Sequence, residues 1–330
     1  MREREINAAA LPQSTELSPM DVGTIIKTAW QHYFSHFLQY LPLSLRGTVW
    51  QLVPSITLLV GLLWMLKQDL LIQDFSGPAA LIIPAWIVLF LWCVAQSLGE
   101  FAGISRSVYQ SLKSSETAPV EQLVTSRRFT HSRRFSLLGS AAIKTVILGL
   151  ISTLFFVIFT IAFATMILGV GLFNSEPRPG LFFAGGGTAI VSFFLFVWLY
   201  AWLSLKLLLN EQFLAIEADS GAIASLGQSW KLMRKQLLRS LLIVFIAFLI
   251  TLPIILLAPI LAQFSYSFLL QSLGITTVQN GVMFEDLLPL AISYLVSNIL
   301  ALLGGIIVNP FFRTVLTTLY FDIRNRIKSI

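Results

Sequence analysis

The sequence predicts an all-α integral membrane protein with about six transmembrane helices and three inner-surface amphipathic helices, laid out as three helix-pair repeats. Three observations predict it. Hydrophobic residues make up 56% of the chain and charged residues only 12%, about half the charge of a soluble domain, so much of the surface faces something other than water. Several stretches reach the roughly 20 mainly apolar residues that a spanning helix needs. Basic residues collect on one side of those stretches.

The six spans lie near 47–66, 80–104, 145–172, 188–208, 240–262 and 288–310. Residues 1–17 form a flexible polar tail, and 18–330 a single membrane domain. Arg2, Glu3, Arg4 and Glu5 leave the start of the chain without the apolar core of a signal peptide. The uncharged run from Ser240 to Phe284 exceeds one span and must hold a further apolar loop or surface helix. Pro253 and Pro259 predict that the fifth span kinks or ends early, and Asn309-Pro310 that the sixth bends or ends. Gly185-Gly186-Gly187 reads as a flexible turn.

Loop charge orients the spans. With the N-terminus inside, the outer loops 67–79, 173–187 and 263–287 contain only Lys67 and Arg178 as basic residues, and the other 20 of 22 fall on the inner side. Such an asymmetry predicts both termini in the cytoplasm, at an inner (plasma or internal) bacterial membrane. It also accounts for the net charge of +6 without nucleic acid.

Three inner segments read as amphipathic helices. Ser18-Pro19-Met20-Asp21 carries a helix-start signature, after which Val22, Ile26, Ala29, Tyr33, Phe37 and Tyr40 share one face. Val120–Arg134 is a less regular second. In the third, Asp219 or Ser220 is the expected cap, Ile223, Leu226, Trp230, Met233 and Leu237 form the stripe, and Lys231, Arg234, Lys235 and Arg239 lie off it. Trp30 and Trp230, Leu38 and Leu238, and Leu41 and Leu241 occupy matching places, and the returning helices end beside Arg106, Lys206 and Arg313. These correspondences suggest the repeat.

Chemistry-bearing motifs are sparse. Neither hydrolase nor phosphate-loop patterns occur, and the single cysteine, Cys93, rules out a disulfide framework. His32 and His36 share a helix face that a metal could use, but no third ligand is near, so neither metal nor cofactor is expected. Arg127, Arg128, Arg133 and Arg134 are read as a headgroup- or partner-binding cluster, together with Lys231, Arg234 and Lys235. The plainer reading of the cluster is that it enforces topology. Embedded polar residues are Gln96, Glu100, Lys206, Asn298, Asn309 and Arg313. Glu100 either meets Lys206 or Arg313 or is wet at the interface.

Two stretches carry a resemblance. Leu214-Ala215-Ile216-Glu217-Ala218 with Ala224 through Leu232, and Asn309-Pro310-Phe311-Phe312 with Leu319 through Arg324, resemble the membrane domain of some glycerophosphodiester phosphodiesterases and its free-standing multi-pass relatives. Ala29 through Phe34 fits the opening helix of that group. The resemblance implies six helices with surface helices between them. It brings no activity, because the soluble phosphodiesterase domain has no counterpart in the sequence. The expected function is non-enzymatic: engagement of membrane lipids, anionic ones first, or of partner membrane proteins through a basic cytoplasmic face. The alternative is a transporter or channel with a polar site near the inner ends of spans 2, 4 and 6.

Overall fold

The computed structural model describes residues 20–67, 78–113, 120–170, 178–272 and 284–328, and every regular element among them is a helix. In chain order these are α1 (Val22–Lys67), α2 (Pro78–Lys113), α3 (Val120–Ser132), α4 (Arg134–Val170), α5 (Pro179–Lys206), α6 (Asn210–Ile216), α7 (Ala222–Met233), α8 (Leu237–Ser272) and α9 (Phe284–Lys328). Six stretches are long and apolar enough to cross a membrane: Val22–Gly61, Ile82–Lys113, Arg134–Val170, Pro179–Ile216, Leu237–Leu261 and Asn298–Ile327.

Several expected boundaries move. The first amphipathic segment is no separate helix but the opening half of α1, whose 46 residues reach about 69 Å, over twice the hydrocarbon thickness. Its cap is Asp21, which accepts the Thr24 N–H at 2.9 Å, the usual service of an N-cap carboxylate. The proposed cap Ser18 lies outside the described residues, as does the whole of the polar tail. α7 starts after Gly221 without a side-chain cap; Ser220 instead donates to the carbonyls of Phe213 and Glu217. α8 continues through Pro253 and Pro259 to Ser272, and α9 through Pro310, as long membrane-type helices tolerate.

The glycine run is also not a turn. Gly185 to Gly187 are helical within α5, and a Cβ on Gly185 would stand 2.5 Å from the Met166 backbone nitrogen. One on Gly169 would stand 2.3 Å from that of Phe182. These are helix-crossing points where only glycine lets two backbones meet.

α1, α2, α8 and α9 pack together, while α4 and α5 pack chiefly on each other. In α4 and α5 the buried residues are Ala162, Gly169 and Gly185 at their mutual crossing, and otherwise residues near one end, such as Leu137, Ser140, Leu203 and Lys206. That same end is where α3, α6 and α7 pack, and it contains the largest apolar core. Ile25, Ala29 and Tyr33 of α1 meet Leu209 and Phe213, Met233, and Val315, Leu319 and Ile323 of α9. We call it the packed end.

One pair of segments that the expected repeat aligns is buried alike. Positions 31–40 and 231–240 match one for one in burial, with Trp30 and Trp230 exposed, Leu38 and Leu238 more so, and Ala29 and Ser229 fully covered. The expected stripe on α7 shifts accordingly. Leu226 and Met233 are buried, but Ile223 and Trp230 face outward and Ser225 and Ser229 take the inner face.

Candidate functional site

The ion pairs among the described residues cluster at the packed end, where cations from one helix also answer carbonyls from another. α6 is the hub. Its Glu211 receives Arg313 of α9 and has Lys144 of α4 at 3.9 Å, so one carboxylate links the α4–α5 pair to the other helices. Just past α6, Glu217 accepts from the Tyr320 hydroxyl at 2.6 Å and from Arg324 at 2.7 Å. Two guanidiniums then cover the last carbonyls of α6. Arg106 donates to Ala215 and Ile216, Arg133 to Leu214, Glu217 and Ser220, and Phe129 stacks under Arg106 at 3.5 Å. Cations there answer both the unsatisfied carbonyls and the negative end of the helix dipole.

A second knot ties the chain ends. Asp322, 2% exposed at its side chain, pairs with Arg239 at 2.7 Å and Arg326 at 2.9 Å and accepts the Met20 N–H at 2.8 Å. Both arginines also donate to the Met20 carbonyl. The first turn of α1 is thereby fastened to α8 and α9.

The expected arginine cluster divides. Arg127 binds Glu100 of α2 through Nε, at 3.0 and 2.9 Å, and Nη2, at 2.7 Å, and this hydrogen-bonded carboxylate raises its pKa further. Arg133 is spent on the α6 carbonyls. Arg134 donates to His131 and lies over Trp92 at 4.7 Å. Arg128 is exposed and has no partner among the described residues. Lys231, Arg234 and Lys235 are likewise exposed.

The embedded polar residues are not gathered into one site. Glu100 is 2% exposed and its partner is Arg127, not Lys206 or Arg313; α3, folded back along α2, brings that arginine to it. Arg313 belongs to Glu211. Lys206, 4% exposed, points its ammonium at Trp202 and Trp230, 5.7 and 5.3 Å from the ring centres. Gln96 is buried, and Asn298 and Asn309 are half-buried on α9. His32 and His36 stack at 4.4 Å; His32 is bonded to the Tyr40 hydroxyl at 2.7 Å. Among the described residues no group of three metal-ligating side chains comes together.

Between α1 and α3 lies a cleft of about 650 Å³. Leu38, Pro42 and Leu43 wall it from α1, and Leu123 and Val124 from α3. Arg46, Arg127, Arg128 and His131 supply its polar side, and no carboxylate lines it among the described residues. Burial and the neighbouring Arg134 lower the pKa of His131.

No family model, curated protein or solved structure matches the chain. The site must be read from its own chemistry. Sequence reasoning missed Glu211, Glu217, Tyr320, Asp322 and Arg324. A signal existed for four of these: Glu217, Tyr320, Asp322 and Arg324 are among the polar residues inside the two stretches quoted for the resemblance. The two stretches meet in space at Glu217.

Proposed function

We propose that the chain is a multi-pass membrane protein, with its packed end and both termini in the cytoplasm, that engages anionic lipids or partner membrane proteins there without catalysing a reaction. One observation carries this reading: exposed cations and exposed large apolar side chains alternate on the same elements of the packed end. Lys231, Arg234 and Lys235 accompany Ile223, Trp230 and Leu238, the first and last 76% and 83% exposed. Lys27 accompanies Trp30, Phe34 and Leu38. Such surfaces suit the headgroup layer, where the apolar groups enter the acyl boundary and the cations stay on the phosphates. The bias of basic residues toward this end supports its cytoplasmic placement.

Kinship with the membrane domain of glycerophosphodiester phosphodiesterases belongs to the same proposal, supported by the mutual packing of the two resembling stretches. A transport site at the inner ends of spans 2, 4 and 6 is less well supported, since Glu100, Lys206 and Arg313 have separate partners.

Native mass spectrometry of the gently extracted protein tests the reading. Retained anionic lipid that is lost on Lys231→Gln, Arg234→Gln and Lys235→Gln together supports the lipid half, and a stoichiometric protein supports the partner half. Finding neither overturns the proposal.

A further inference from the structure

We infer that the cleft between α1 and α3 is a binding site for one anionic glycerophospholipid, its phosphate held by Arg46, Arg127 and Arg128. The inference rests on the proposed lipid engagement of the packed end and gives it a location. Charge points to the phosphate. Arg46 and Arg128 are exposed and make no hydrogen bond or ion pair with any other described residue, and among the described lining residues no carboxylate competes for them. Arg127 is held differently. Its Nε and one Nη are fixed on the buried Glu100, which leaves the other Nη without an acceptor among the described residues. Glu100 is therefore a positioning residue, aiming a guanidinium it does not fully use, as supporting carboxylates orient binding groups elsewhere.

The walls point to a lipid rather than a free phosphate. Leu38 and Val124 are 77% and 57% exposed, and with Pro42 and Leu123, over the buried Leu43, they offer an apolar surface that a small anion would leave in water. The cleft volume lies within the range of sites for single small ligands. Under the proposed topology its height also fits. Arg46 directly precedes the apolar run that begins at Gly47, and Arg127 is tied to Glu100, where the apolar run of α2 reaches the packed end.

The test is native mass spectrometry of the full chain with added phosphatidylglycerol or phosphatidylcholine, comparing wild type with Arg46→Gln/Arg128→Gln. Phosphatidylglycerol retention is expected to fall about tenfold or more, two headgroup cations having been removed, with phosphatidylcholine poorly retained throughout. Arg46→Lys/Arg128→Lys keeps the charge and is expected to retain the lipid, which separates lost binding from lost folding. Unchanged retention in the glutamine variant overturns the inference, as does displacement of the lipid by glycerol 3-phosphate alone at matched concentration. If wild type retains phosphatidylglycerol and only the Lys231, Arg234 and Lys235 variant loses it, the cleft is wrong while the wider reading stands. If wild type retains none, the cleft and the lipid half of the proposed function both fail, and only the partner half stands.

Discussion

Glu100 and Arg127 illustrate how unequal the two halves of an ion pair can be. The Glu100 side chain is 2% exposed and that of Arg127 40% exposed, so water can replace the carboxylate for the arginine but not the reverse. Arg127→Gln strands a buried charge and is expected to cost about 3 kcal/mol, whereas Glu100→Gln, discounted for the exposure of Arg127, is expected to cost about 1 kcal/mol. Thermal or denaturant unfolding in detergent measures both, and equal losses would contradict the assignment. His131 gives a pH effect. Its pKa is lowered by burial, Arg134 and Arg127 against an opposing pull from Glu100, so the unfolded chain takes up a proton first as pH falls through about 6.5. Its contribution to stability is therefore complete above that value and declines below it. The melting temperature is expected to drop between pH 7.5 and 5.5, by less in His131→Gln; an equal drop in both assigns the effect to other groups.

Helix elements differ in what holds them. α4 and α5 approach so closely at Gly169 and Gly185 that a Cβ would enter a neighbouring backbone, and backbone cannot swing aside as a side chain can. Gly185→Leu is expected to separate the two helices and cost about 1–3 kcal/mol. Gly149→Leu, on the same pair but with nothing within 4 Å, should be close to neutral by the same thermal assay. α6 is held by charge and hydrogen bonds from its neighbours as well as by its apolar contacts. Tyr320→Phe removes the hydroxyl that donates to Glu217 at 2.6 Å, a charge-assisted bond whose loss is expected to lower stability by about 1–2 kcal/mol. A variant as stable as wild type would show that Arg324 suffices alone.

For the molecule as a whole, cohesion is concentrated at one end. The main core, both carboxylate knots and the arginine caps of α6 lie there, while the apolar lengths of α4 and α5 present most of their side chains outward. The proposed orientation makes a direct prediction. The native Cys93 is fully buried, so Lys113→Cys at the packed end and Arg178→Cys at the other can report separately. A membrane-impermeant maleimide is expected to label the first only in inverted vesicles and the second only in right-side-out ones. Labelling of both from one side would refute the topology.

How much of this was legible in the sequence depends on whether the governing physics is local. Helix content and six apolar lengths follow from composition and run length, because a chain so poor in charge has few ways to satisfy its backbone except by helices. The face carrying Ala29, Tyr33 and Tyr40 was readable from spacing alone, and the matching places of Trp30 and Trp230 reappear as matching burial. The partners were not readable. Glu100 lies 27 positions from Arg127 and Glu211 over a hundred from Arg313, and nearness in such pairs depends on how α3 folds along α2 and how α9 lies against α6. The glycine run shows the same limit: a turn and a tight helix crossing ask for the same residue, and only the neighbouring backbone distinguishes them. The sequence by itself determined which segments are apolar and helical; the tertiary structure decided which charges are spent on the fold and which stay exposed, because that follows from contacts between helices remote in the chain.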